Sequence, residues 1–346
     1  MLSTLAKLLD RTAIELAELD MRRLTNGSRP VPPDGPIKKD ELFEEPIPVP
    51  EICFTTKEAF HFPSLIETSC RENDTVHGRL YRCGDDWQRR PAVILIHGWD
   101  YDLAYRFQFP YLARRLCRLD VNTAMLELPY HCHRRPHRNG VVKDFISNDL
   151  ECVYEAIRQS IADIRTLAHW LRGQGCPSVG LWGISLGAWL SGLVVCADDA
   201  MGFAALLTPV GNIDRAVREL GFCEPIREGL ECRKISLARL NLKEHQPRIP
   251  SEKILIIESV HDLFAPVETV EEFWKAWGRP EIMRLNHGHI SVLMSVPVTK
   301  RITDWIARVA HSETASALHC GASRNRGSQL TDGARRRRQP QMRQPG

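Results

Sequence analysis

The chain is 346 residues long, 43% apolar and 26% charged, with a formal net charge of +3. That composition excludes a wholly disordered, collagen-like or coiled-coil chain, and the length admits two ordinary domains or one large α/β domain. The charge is unevenly placed: residues 311–346 hold seven arginines against Glu313 and Asp332, a net of +5, so the other 310 residues carry −2. A body of that balance gives no reason to expect nucleic acid or an anionic membrane as a partner. Eleven cysteines run from Cys53 to Cys320 without a C-x-x-C pair. An odd count with no secretion signal fits reduced thiols in a cytoplasmic setting. Lys7, Asp10, Arg11, Glu15, Glu18 and Asp20 break up the apolar core that a signal peptide would need.

In chain order, Leu2, Leu5, Leu9, Ala13 and Leu16 recur at helical spacing. They predict a surface helix over the first 24 residues, whose mixed charges favour packing on the body over lying in a membrane interface. Breakers from Asn26 to Pro36 and again from Pro46 to Pro50 mark a linker. Residues 51–90 read as short strands with a turn around Glu72–Asp74. Strand signals then follow at Ala92–Ile96 (AVILI), Val121–Leu128, Ser178–Trp182, Gly202–Leu207, Ile254–Glu258 and Ile282–Leu285. Helical periodicity lies between most of them. It is clearest over Asp144–Leu171, where Leu150, Val153, Ile157, Ile161, Ile164 and Leu167 keep one face apolar.

Buried strands alternating with helices predict an α/β fold with a mostly parallel sheet covered on both faces. Ligands then bind beyond the carboxyl ends of the strands. Residues 212–250 interrupt the alternation without a clear strand and read as a small inserted cap. The polar, Arg-rich residues 311–346 read as a disordered tail. The expected organisation is therefore a helix and linker over 1–50, one α/β domain over 51–310, and the tail. Pro177–Ala197 is uncharged and contains Gly183-x-x-x-Gly187, but its glycines, serines and strand-like start argue against a transmembrane span.

The chemistry begins at Gly183-Ile184-Ser185-Leu186-Gly187, a G-x-S-x-G pentapeptide. A chain of this length would contain one by chance about one time in ten, so the pattern alone is weak. Its context gives it meaning, because a strand precedes it and an apolar helix from Ala188 follows. Such a turn leaves the Ser185 hydroxyl exposed, with the Leu186 N–H directed at any oxyanion formed there. The bland alternative is a tight glycine turn without catalytic duty.

On these residues the chain resembles the α/β-hydrolase superfamily, over roughly residues 55–310. The resemblance implies an eight-stranded, mostly parallel sheet with helices on both faces. It also implies a Ser, Asp/Glu, His triad in that chain order. His97-Gly98-Trp99 follows the AVILI strand and matches the family's oxyanion loop, with the Trp99 N–H as second donor and His97 in a structural role. Asp262, with Pro266 four residues on, matches the family's acid beyond strand seven, with Asp214 as rival. Asn286-His287-Gly288-His289 offers two bases, and the family's Gly-His pattern selects His289 over His287.

Two neighbouring segments are candidates for substrate contact. Trp99, Tyr101, Tyr105, Phe107, Phe109 and Tyr111 crowd thirteen residues, which suits either a pocket wall, including Tyr101, or ordinary helix packing. Arg134 and Arg135, in Pro129–Arg138, offer forks for a phosphate or carboxylate on the substrate, the alternative being a solvated or structural loop. This loop and the G-H-I-S histidine narrow the resemblance to a poorly characterised group of hydrolase-domain proteins. His131, His133 and His137 lack an acidic companion nearby, and ester hydrolysis needs no metal, so neither metal nor cofactor is expected. The implied activity is a serine hydrolase cleaving a small-molecule carboxylic ester through an acyl-enzyme. Acyl transfer, thioester or amide cleavage uses the same machinery, and a non-catalytic binding protein on this fold is the alternative from another class. The Arg335–Arg338 run reads as a solvated tail, the alternative being contact with RNA, DNA or an acidic partner, and the sequence carries no signal for oligomeric state.

Overall fold

The computed structural model describes residues 2–25, 49–100, 102–136 and 145–312. The expected tail, apart from its first two residues, and most of the linker lie outside them. Three short strands, β1 (Cys53–Phe54), β2 (Ala59–Pro63) and β3 (Thr75–Tyr81), pair antiparallel. The expected strands follow as β4 (Ala92–Ile96), β5 (Asn122–Leu126), β6 (Val179–Ile184), β7 (Ala204–Leu207), β8 (Ile254–Ser259) and β9 (Glu281–Leu285). These six run parallel, and β3 joins them antiparallel through β5. The sheet order is β1-β2-β3-β5-β4-β6-β7-β8-β9. The two-residue β1 adds a ninth strand to the implied eight, at the edge of the sheet.

A strand covered on both faces must be apolar at every position, and β4 shows how AVILI is used. Ala92, Ile94 and Ile96 enter one core, while Val93 and Leu95 enter the other. The second core is closed by α2 (Asp102–Cys117) and by a helix over 296–312, which contribute Leu112, Leu116, Ile302 and Trp305. The first is closed by α3 (Leu150–Gly173) and α4 (Leu186–Ala197). The apolar face read over Asp144–Leu171 is the buried face of α3. Asp149 caps that helix by accepting from the Glu151 and Cys152 N–H groups.

Between β7 and β8 the chain forms α5 (Ile213–Glu219), α6 (Glu224–Arg233) and short 3₁₀ turns, with no strand. After β8 come α7 (Val267–Ala276) and, beyond β9, the short α8 (His289–Leu293). The uncharged Pro177–Ala197 stretch is β6, a tight turn and α4. Among the described residues no helix is long and apolar enough to cross a membrane.

The first helix, α1 (Leu2–Thr25), forms where expected but presents a different face. Leu5, Leu8, Leu16 and Leu19 are exposed, whereas Ala6, Asp10 and Met21 are buried, with Ile14 and Ala17 packed on the first core. Small side chains on that face let the helix backbone approach the body closely, which larger leucines would prevent.

Candidate active site

Ser185 sits between β6 and α4 with φ 54° and ψ −115°. A residue with a Cβ is strained at such angles, by about 1–3 kcal/mol, and holds them only where its surroundings enforce them. Here both flanking glycines are sterically required. A Cβ on Gly183 would collide with the Gly187 carbonyl, and one on Gly187 would collide with the Ile96 and His97 carbonyls. The Ser185 N–H is tied to the Leu207 carbonyl at 2.9 Å, and its own carbonyl accepts from the Ala188 and Trp189 N–H groups. The turn is thus pinned by β7 on one side and α4 on the other, leaving the hydroxyl at the carboxyl end of the sheet.

Two loops from later strands meet this hydroxyl. His289, the first residue of α8, lies with Nε2 2.8 Å from Ser185 Oγ. Its Nδ1 lies 2.7 Å from Asp262 Oδ2. Asp262, beyond β8, is itself fixed because its Oδ1 accepts from the Phe264 and Ala265 N–H groups at 2.8 Å each. The Phe264 ring packs on the imidazole with centroids 4.6 Å apart. Burial alone would lower the His289 pKa, but the charge and hydrogen bond of Asp262, with a smaller contribution from Asp10, outweigh it and raise the pKa above the ordinary imidazole value. The rival residues are occupied elsewhere. Asp214 accepts from Ser236 Oγ and the Leu237 N–H and pairs with Arg218 between β7 and β8. His287 contacts Ser291 Oγ at 3.3 Å through Nδ1.

Asp10 is the residue here that sequence reasoning passed over. This side chain of α1 is fully buried. Its Oδ2 accepts from the His289 N–H at 2.8 Å and the Leu263 N–H at 3.1 Å, and its Oδ1 from the Ile290 N–H at 3.0 Å. The available signal was a carboxylate at helical spacing inside a stripe of small residues, Ala6, Asp10, Ala13 and Ala17.

The loop after β4 runs against the serine: a Cβ on Gly98 would stand 3.3 Å from the Ser185 Cβ. His97 fastens that loop, accepting the Leu128 N–H at Nε2 (3.0 Å) and facing the Gly98 carbonyl through Nδ1 (2.8 Å). Burial pushes its pKa down to about 3, so the ring is neutral and Nδ1 carries the proton. The Trp99 ring stacks on Phe222, which belongs to the segment between β7 and β8, with centroids 4.9 Å apart. Phe222 in turn neighbours Phe264 at 6.1 Å. Ser185, His289 and Trp99 open onto a cavity of about 400 Å³. Its walls are mostly apolar: Val153 and Ile157 of α3, Val217 and Ile226 of the segment between β7 and β8, and Ala13 and Ala17 of α1.

Of the two readings of the arginine loop, Arg134 takes the structural one and not the anion-binding one. Arg134 is fully buried and pairs with Asp163 of α3 at 2.8 Å. It also donates to the Glu127 and Asn73 carbonyls, so no substrate anion can reach it. It lies beneath the loop surface because its fork matches three acceptors on separate segments. Arg135 is half-exposed and pairs with Asp102 at 2.9 Å. Of the aromatic row, Trp99 faces the cavity, Tyr105 and Phe109 pack in the second core, and Phe107 and Tyr111 are exposed. Tyr101 and His137 lie outside the described residues. His131 packs against His97, and His133 bonds Glu127. Among the described residues, no three His, Cys, Asp or Glu side chains are grouped to hold a metal ion.

Comparison with known proteins places this geometry in a family. A family model described as alpha/beta hydrolase domain containing 18 matches residues 26–208, just over half of the chain. An uncharacterized protein of two Mycobacterium tuberculosis strains is 29% identical over 219 residues, covering 61% of this chain and 52% of its own. The chain thus spans about half the length of the curated relatives it matches. Among solved structures, an acetyl xylan esterase from a Paenibacillus species superposes with a TM-score of 0.54 and 13% identity, over 86% of this chain and 94% of that one. Est1E from Butyrivibrio proteoclasticus, solved with ferulic acid bound, gives 0.50 and 13%, over 70% and 96%. At these identities the likeness speaks for a shared hydrolase fold. The chain belongs to the alpha/beta hydrolase domain containing 18 family, within the α/β-hydrolase superfamily.

Proposed function

We propose that the protein is a serine hydrolase that cleaves a carboxylic ester through an acyl-enzyme. The observation that carries this reading is the unbroken relay from Asp262 through His289 to Ser185, at 2.7 and 2.8 Å. Ser185 Oγ attacks the ester carbonyl as its proton passes to His289 Nε2. Asp262 holds the imidazole in the tautomer that leaves Nε2 free to accept, and stabilises the imidazolium that forms. The N–H groups of Trp99 and Leu186 receive the oxyanion, the latter at the positive end of α4. The proton then goes to the departing alkoxide. Water, activated by the same imidazole, releases the acid and restores Ser185. The mostly apolar cavity beside the serine suits an extended hydrocarbon acyl group, and the acidic Asp20 and Asp100 on its lining disfavour an anionic one. A fluorophosphonate probe is expected to label the wild type at Ser185 and to spare Ser185→Ala. Folded wild type that resists the probe and cleaves no p-nitrophenyl ester would sink the reading.

A further inference from the structure

We propose that Asp10, on the N-terminal helix, is a positioning residue for this hydrolysis, clamping the loop that bears Asp262 to the turn that bears His289. The inference rests on the reading of Ser185, His289 and Asp262 given above and adds a fourth residue to it.

The geometry is that of a two-sided clamp. Leu263 directly follows Asp262, and its N–H is bound by the same carboxylate that binds the N–H groups of His289 and Ile290. One side chain therefore fixes, from the backbone side, both partners of the Asp262–His289 bond. Burying a carboxylate is costly unless hydrogen bonds offset its desolvation, and three N–H donors offset part of that cost here. Two of those donors open α8, whose first N–H groups have no partner within the helix. The fit is close. A Cβ on Gly288 would stand 2.8 Å from Asp10 Oδ2 and 2.9 Å from the Ala6 carbonyl, so the glycine before His289 is matched to this helix. Gly288 has an ordinary φ of −98°, which leaves space as the reason for the small residue.

Charge works in the same direction. The carboxyls acting on the imidazole are Asp262, from the loop after β8, and Asp10, from α1. The Asp10 carboxyl is itself raised, chiefly by burial and also by Asp262, against the three N–H bonds that lower it. When His289 takes the Ser185 proton, the new positive charge lies beside two carboxyl groups instead of one. The helix that positions the base also bounds the substrate, since Ala13, Leu16, Ala17 and Asp20 line the cavity one to three turns further along.

The test compares wild type, Asp10→Asn and Gly288→Ala in two readouts: hydrolysis of p-nitrophenyl hexanoate, and NMR titration of the His289 ring. Asn keeps the shape but loses the charge and turns an N–H₂ toward one donor. Its expected effect is kcat lower by roughly 10- to 100-fold with KM nearly unchanged, and an imidazole that titrates at lower pH. Gly288→Ala keeps the carboxylate but pushes the helix away, and is expected to lower kcat likewise. Folded Asp10→Asn with wild-type kcat and an unmoved imidazole overturns the proposal, even if its melting temperature falls. Should Asp10→Asn fail to fold, Gly288→Ala decides by the same two readouts. Should the wild type cleave no ester and resist fluorophosphonate, the proposed function falls. The imidazole titration then still decides the clamp: a shift supports it and no shift overturns it.

Discussion

The loop around Arg134 and the helix around Asp10 exchange the roles their sequences advertise. The loop displays two adjacent arginines beyond a sheet strand, where ligands bind in this fold, yet Arg134 is a buried tie between α3, the residue 127 backbone and the residue 73 backbone. The helix displays leucines for packing, yet it leaves several of them exposed and delivers a carboxylate to the backbone of the proposed base. The difference teaches that a charged side chain is assigned by its depth and by the groups that saturate it, more than by the element that carries it.

The largest expected effect breaks the loop. Arg134→Ala leaves Asp163 buried and unpaired, and urea denaturation should show a loss of about 3–5 kcal/mol. Replacing both members together, as Arg134→Met with Asp163→Leu, should recover only part of that loss, because the Glu127 and Asn73 carbonyls still lose their donor. A charged ester that alone loses kcat/KM in a stable Arg134 variant would restore the anion-pocket role and erase the contrast. Next in size is Ala17→Trp, which fills the helix side of the cavity. It should raise KM for p-nitrophenyl decanoate by roughly tenfold while sparing the acetate, a pocket-shape effect of one to two kcal/mol. The pH dependence sharpens the helix side. The imidazole must be neutral to accept the serine proton, and its pKa is held above the ordinary value. The acid limb of kcat/KM should therefore lie above the pH expected of an unperturbed histidine, and Asp10→Asn should draw it downward. Linkage gives the matching sign for stability. A raised folded-state pKa contributes stability that is complete below the unfolded value and is lost as pH rises through the folded one. The smallest effect is Arg135→Ala. Its pair with Asp102 is half-exposed, so the change should cost no more than about 1 kcal/mol and leave kcat/KM unaltered.

Local patterns were legible because their causes are local. AVILI needs two apolar neighbours and little else, and it forms β4 over the residues read from the sequence. The glycines at 183 and 187 announce a close turn, and α3 announces its buried face by period. The ends of β6 and β8 and the turn after β9 bring Ser185, Asp262 and His289 together, an encounter that chain order and motif foreshadowed. What stayed hidden depends on distant partners. Asp10 finds its donors 253 to 280 residues away, and no local window contains them. Arg134 is satisfied by Asn73 and Asp163, the latter on a helix read only for its aliphatic face. The buried face of α1 escaped notice because alanines make a closer contact than leucines and a weaker hydrophobic signal.

The span of the Asp10 contacts also sets an order of assembly. Asp10 is synthesised 280 residues before Ile290. At about 5–20 residues per second, roughly 14 to 56 seconds separate the two on the ribosome. Until the last of these donors is made the clamp is incomplete, although much of the first core on which Ile14 and Ala17 pack has by then been synthesised. Asp10 therefore closes its clamp only after the turn that bears His289 has been made.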